Sequence, residues 1–164
     1  MAWDNENKQH SLLIVHLRCN MLDMMLIRSK IEKRDNMKKI EVVAAIIKDG
    51  DKILATQRGY GEFAGSWEFP GGKMEEGESR EAALCREIKE ELEVDIEVDD
   101  FLLTVEYDYP NFHLTMHCYF CHVVEGVINF VEHSSGRWLK KGELDTLKWL
   151  PADLDVVEKL KRVL

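Results

Sequence analysis

From Lys39 onward the hydrophobic pattern is that of strands. The run "IEVVAAIIKDGDKILATQR" contains two β-rich segments joined through Asp49-Gly50, a pairing that favours a tight hairpin turn. The first segment is nearly all apolar, so it should lie inside a sheet with both faces covered. The next stretch, "GYGEFAGSWEFPGGKMEEGES", concentrates glycine and reads as loop with a short strand at Trp67 to Phe69. Ser79 then has the place of an N-cap, with Glu81 in the first turn complementing the helix dipole. The helix predicted over about residues 80 to 92 places Leu84, Ile88 and Leu92 on one flank at i, i+4 and i+8, a stripe suited to packing on the sheet. Beyond it, "IEVDDFLLTVEYDY" and "FHLTMHCYFCHVV" read as two long strands around a Pro110-Asn111 turn, and "GRWL" as a shorter one. Pro151 is expected to start a last helix with Leu154, Val157, Leu160 and Leu164 as its buried stripe.

Residues 1–36 are different. They mix hydrophobes with charges and carry no glycine or proline. An extra helix around Leu12 to Ile31, a loosely ordered extension and a start codon assigned too far upstream are all compatible with them. The division expected is therefore an N-terminal extension, 1–36, and one domain, 37–164. No internal repeat or low-complexity tract interrupts either part.

A chain of 164 residues, 45% hydrophobic and 32% charged, suits a single buried core. Its net charge of -9 argues against a broad surface complementary to a nucleic acid polymer or an anionic membrane, so an anionic ligand would have to be met locally by cations or metal. The four cysteines form no dense disulfide framework, and a reducing cytoplasm is the expected location. The apolar run Leu12 to Leu17 is too short, and too acidic upstream, for a signal peptide or membrane span. Cys118-x-x-Cys121, with three histidines nearby, invites a zinc reading. On a strand, however, an odd spacing sends the two thiols to opposite faces.

The segment "REIKEEL" carries the chemistry. Glu87, Glu90 and Glu91 lie at i, i+3 and i+4, which brings three carboxylates onto one helix face. Each like-charge pair of this kind costs an isolated helix roughly 0.2–0.5 kcal/mol, and a divalent cation between them would more than offset it. From Gly72 the chain reads glycine, five residues, Glu78, seven residues, Arg86-Glu87-Ile88, one residue, Glu90-Glu91, one residue, Glu93-Val94. This resembles the Nudix hydrolase family, whose signature is G-x5-E-x7-R-E-U-x-E-E-x-G-U with U a bulky apolar residue, and eight of the nine specified positions match. The exception is Glu93, where the family's glycine normally ends the helix in a left-handed conformation; a side chain there costs roughly 1 kcal/mol if the geometry is kept. The likeness extends over about residues 37 to 164, and "WEFPGGKMEEGES" and "WLPADLDVVEKLKR" are similar to MutT-type members acting on oxidised purine or cytidine nucleotides.

The resemblance implies an α/β fold, a Nudix-type α/β/α sandwich with a mixed sheet. It also implies Mg²⁺-dependent hydrolysis of a nucleoside triphosphate to the monophosphate and pyrophosphate, with Mn²⁺ able to substitute, by attack of a metal-activated water on the β-phosphorus. Mg²⁺ suits a site shared between carboxylates and phosphates. Carried over residue by residue, the metal ligands are Glu87, Glu90, Glu91 and the Gly71 carbonyl, with Glu132 a further candidate six residues before Trp138. Glu91, Glu90 or Glu132 accepts the proton, and the sequence does not choose between them. Arg86 orients a catalytic glutamate and Glu78 braces the loop. Lys73 and Arg58 contact phosphates beside Gly71 and Gly72. Asp153 recognises the base, and Phe69, Tyr107 and Phe112 are available to stack on it. A different class stays open: a non-catalytic nucleotide-binding or interaction module on the same scaffold. No oligomeric state follows from the sequence.

Overall fold

The computed structural model describes residues 21–29 and 37–164. The chain divides into two units, Met1–Lys38 and Lys39–Leu164. In the first, residues 21–29 form a helix, α1, whose methionines and leucines are exposed. The remaining residues of the N-terminal extension lie outside the described part, and with them the choice among the three readings of that extension.

The second unit is built on a mixed sheet. Its strands are β1 (Lys38–Asp49), β2 (Lys52–Arg58), β3 (Trp67–Glu68), β4 (Gly71–Lys73), β5 (Asp95–Asp108), β6 (Phe112–Glu125) and β7 (His133–Lys140), and its helices α2 (Arg80–Leu92) and α3 (Asp153–Val163). The sheet order is β3-β2-β1-β6-β5, with β4 also paired to β1 and β7 to β2. The central place of β1 explains its apolar run. Val43, Ala45 and Ile47 face one core with Leu84, Ile88 and Leu92 of α2, while Ala44 and Ile46 face a second core with Val156, Val157 and Leu160 of α3. A strand covered by a helix on each side has no polar face to show, and the α/β/α layering follows.

The turn at Asp49-Gly50 forms as expected, with Asp49 opposite Lys52. Gly50 alone in that turn has a positive φ, +59°, the demand of a II′ hairpin turn at its first position. Along β6 the two thiols take opposite sides, Cys118 in the α3 core and Cys121 in the α2 core. Burial pushes both thiols up, Cys121 to about 12, so neither is set up as a metal-binding thiolate.

Two details of α3 differ from the sequence reading. The helix starts at Asp153, Pro151 lying in the turn before it. Its buried stripe is Asp153, Val156, Val157 and Leu160, at i, i+3, i+4 and i+7, whereas Leu154 is 51% and Leu164 39% exposed. The expectation placed only apolar residues inside; a buried carboxyl occupies the first place and shifts the phase of the stripe. What fixes that phase is the segment before the helix. Trp67 N donates to Lys148 O and Leu150 N to Trp67 O, a parallel bridge that seats Trp149 on Phe69, with ring centroids 4.7 Å apart.

Candidate active site

The loop after β3 is pinned to the sheet by main-chain bonds. Ala45 N donates to Pro70 O, and Val42, Val43 and Ala44 pair with Lys73, Gly72 and Gly71. The close approach to β1 requires glycine at 71, and glycine at 72 leaves room for Glu87. Gly71 has φ +147°, and a Cβ there would lie 2.1 Å from Val43 O; a Cβ on Gly72 would lie 2.2 Å from a Glu87 carboxylate oxygen.

Helix α2 delivers its acids to this loop. Ser79 caps it, its hydroxyl accepting from Ala82 N, and Glu93 ends it at φ +59°, its N–H donating to Lys89 O. The left-handed end that the family builds with glycine is therefore kept with glutamate, whose carboxylate also accepts from Asn129 Nδ2 at 2.7 Å. Arg86 ties the acidic face together. It donates to Glu78 through Nε and Nη2 (3.0 and 2.9 Å), to Glu87 at 2.8 Å and to Lys73 O at 3.0 Å, with Glu90 3.6 Å away. These partners raise the guanidinium's affinity for its proton, the Glu78 and Glu87 hydrogen bonds leading. Glu78 also accepts from Glu75 N, bracing the loop.

Glu91 Oε2 accepts from Gly71 N at 3.1 Å. Burial pushes this carboxyl up to about 7; the charge of His133 and the Gly71 amide oppose the rise, and Glu87 and Glu68 add to it. Glu91 and Glu87 both line a cavity of about 500 Å³, together with Gly71, Gly72 and Lys73. Arg58, Glu68, Glu132 and Tyr60 form its middle, with Tyr60 donating to Glu132 at 3.0 Å. The far end is apolar, with Phe69, Phe112, Met116 and Leu150 on its walls. Asp153 lies there, 4% exposed, its Oδ1 accepting from Phe69 N at 3.0 Å. Burial pushes its carboxyl up to about 8 against the pull of the Phe69 amide.

The cavity thus gathers Glu87, Glu91, Glu132, Gly71, Gly72, Lys73, Arg58, Phe69 and Asp153 from the sequence expectation. Glu90, Arg86 and Tyr107 are not on its walls. Glu90 projects outward with a side chain 62% exposed, and Arg86 stands behind Glu87. Phe69 is 4% exposed and already stacked on Trp149, which limits it to an edge contact.

The sequence reading passed over Glu68, His133, Tyr60 and Tyr109. Glu68 binds Arg58 through both carboxylate oxygens (Nε–Oε1 3.0 Å, Nη2–Oε2 2.7 Å), and His133 Nε2 lies 3.6 Å from it. Burial lifts the Glu68 carboxyl, but His133 and Arg58 more than cancel it and hold the group below its ordinary value. A two-residue strand carries no periodicity that would show Glu68 pointing inward. The strand register Arg58↔His133 that brings these partners together is likewise a tertiary fact.

Among the described residues no three acidic, histidine or cysteine side chains converge as a preformed metal cage. The donor set nonetheless suits a hard divalent cation. Glu87 and Glu91 are carboxylates held against a backbone loop that glycine alone allows to come so close.

Comparison with known proteins agrees with this geometry. The NUDIX domain profile matches residues 37–160. An Escherichia coli protein named CTP pyrophosphohydrolase is 36% identical over 123 residues, covering 74% of this chain and 91% of that protein. An E. coli 8-oxo-dGTP diphosphatase is 33% identical, covering 77% of this chain and all of that one. The solution structure of the E. coli ORF135 protein superposes with a TM-score of 0.69 at 35% identity, covering 79% of this chain and 93% of the other.

Proposed function

The chain belongs to the NUDIX domain family and is a hydrolase of acid anhydrides, and from that premise we propose that residues 37–164 hydrolyse nucleoside triphosphates to the monophosphate and pyrophosphate with Mg²⁺. Oxidised purine nucleotides such as 8-oxo-dGTP are the preferred substrates, and clearing them from the cytoplasmic nucleotide pool is the role. The observation that carries this reading is the two-ended cavity: half-buried carboxylates against a glycine loop at one end, an apolar slot closed by a buried carboxyl at the other.

Glu87, Glu91 and the Gly71 carbonyl would hold the cation, with Glu90 and Glu132 at its margin. When bound, the cation neutralises phosphate charge and lowers the pKa of a bound water. The protein's own groups do the rest. The Gly71 amide fixes Glu91, and Arg86, itself tied to Glu78, fixes Glu87. Lys73 and the free edge of the Arg58 guanidinium face the polyphosphate, while the apolar end excludes water from the base. Glu91, carried on a rigid helix and turned into the cavity beside Gly71, is the carboxylate placed to take a proton from the attacking water.

The test is pyrophosphate release from a panel of purified nucleotides, 8-oxo-dGTP, dGTP, CTP and ATP, with Mg²⁺ and with chelator. Release restricted to the Mg²⁺ arm and fastest for 8-oxo-dGTP is expected. Phosphate in place of pyrophosphate would refute the bond assignment. CTP as the best substrate would move the preference to cytidine nucleotides, the activity named for the E. coli relative. Binding without hydrolysis of any of them would leave a binding module.

A further inference from the structure

The apolar end of the cavity holds a polar group to which the proposed reaction assigns no task. Tyr109 is the last residue before the β5–β6 turn, where its N–H donates to Phe112 O at 2.9 Å. It is 9% exposed. Its ring stacks on Phe112 (centroids 4.7 Å apart, planes at 23°), tilts against Tyr107 (4.8 Å) and meets Phe63 edge-on (5.8 Å). Packing from the hairpin and from the loop after β2 fixes the ring, and with it the hydroxyl. The Ala152 amide faces that hydroxyl and Asp153 is close enough to act on it through its charge. Burial raises the phenol above its ordinary value, so it stays an O–H donor at neutral pH. Beside it the Asp153 carboxyl, whose Oδ1 is engaged by the Phe69 amide, lines the same cavity. An apolar slot binds flat rings by area but separates them poorly; hydrogen-bonding groups at its end separate them well, because a ring without the matching atom leaves a buried donor unpaired.

We propose that Tyr109 is a specificity-determining residue, its hydroxyl donating to a carbonyl or ring nitrogen of the nucleobase next to the group held by Asp153. Tyr109 reads an acceptor on the base edge beside the atom that meets Asp153, with the aromatic cluster around Tyr109 setting its position. This rests on the cavity being the nucleotide site.

Tyr109→Phe removes the hydroxyl and keeps the ring packing. With the same nucleotide panel, kcat/KM for the preferred nucleotide is expected to fall about tenfold, the worth of one neutral hydrogen bond, while the poorest substrate changes less than about twofold and the preference ratio shrinks accordingly. Calorimetric binding of the nucleoside monophosphates should weaken by a similar factor in the variant, with inorganic pyrophosphate binding unchanged. An unaltered preference ratio, or an equal loss for every nucleotide, would overturn the assignment and reduce Tyr109 to packing. If the wild type releases no pyrophosphate from any nucleotide, the proposed reaction fails on its own account. The monophosphate titrations then decide Tyr109 alone: weaker binding to the variant supports it, and equal affinities overturn it.

Discussion

Two carboxyls, one buried and one half-buried, hang from the same three-residue stretch of backbone. Phe69 N donates to Asp153 on α3, and Gly71 N donates to Glu91 on α2, so the segment between them grips a helix on each side of the sheet. Each carboxyl accepts one amide at close to 3 Å and each is raised by burial, to about 8 and about 7. Their surroundings separate them. Glu91 stands among Glu87, Glu68 and His133, where added charge is expected, whereas Asp153 is packed against Phe69, Trp149 and Ala152 and feels only the Arg58–Glu68 pair, whose two charges oppose each other on it. The same side-chain chemistry is thereby divided into an end that handles charge and an end that handles a ring. Local dielectric and neighbouring charge make the division, not the carboxyl itself.

The largest expected effect tests the charged end. Glu91→Gln keeps shape and removes charge, and kcat for pyrophosphate release should drop by about 10²–10⁴-fold with thermal stability held or raised. A variant as fast as the wild type would dissolve the distinction between the two carboxyls. Next in size is the contrast between the adjacent glycines. Gly71→Ala sets a Cβ against the Val43 carbonyl in a left-handed backbone, and a loss of roughly 3 kcal/mol or more is expected in denaturant melts. Gly72→Ala meets only the end of the flexible Glu87 side chain, so stability should hold while activity falls about tenfold as Glu87 turns away. Equal destabilisation by both would show that the loop's approach to α2 is as rigid as its approach to β1.

The apolar end is tested through its pH dependence. The Asp153 carboxyl is raised in the folded chain, so between its unfolded value near 4 and about 8 the folded state binds the extra proton. Its contribution to stability is complete below the unfolded value and declines as pH rises through that window, by about 1.4 kcal/mol per unit at most. Asp153→Asn has no proton to lose. Its stability relative to wild type should therefore improve by roughly 2 kcal/mol between about pH 6 and pH 7.5, read from melts at both; a constant offset would show the carboxyl ionised and the apolar description wrong. The smallest effect serves as a control on α2 away from either carboxyl. Glu93→Gly relieves a left-handed side chain at φ +59° and loses the Asn129 bond, for a net gain below about 1 kcal/mol with unchanged kcat.

Much of the layout was legible because it is local. The hairpin at Gly50, the Ser79 cap and the Leu84–Ile88–Leu92 stripe each depend on residues within a few positions of one another, and all three formed where expected. The acidic helix and the glycine loop were legible as a motif. How the acids divide was not: Glu87 and Glu91 reach the cavity and Glu90 does not, because the loop touches α2 on one side only. Glu68, His133 and Tyr109 gave no signal, since their partners lie across strand pairings and turns.

The order of apolar and polar residues was enough to dictate the strands, a β1 covered on both faces, two helices and three acids on one helix face, since periodicity and capping act over a turn or a strand; the α/β/α layering was implied by the likeness to the family. Only the tertiary structure decided that an aspartate, and no leucine, opens the buried stripe of α3, that Arg58 is taken by Glu68, and that a tyrosine beside the hairpin turn shares a cavity with both. Those outcomes depend on which distant backbone amides and rings surround each group, and the energy of a buried polar side chain is set by such neighbours rather than by its place in the chain.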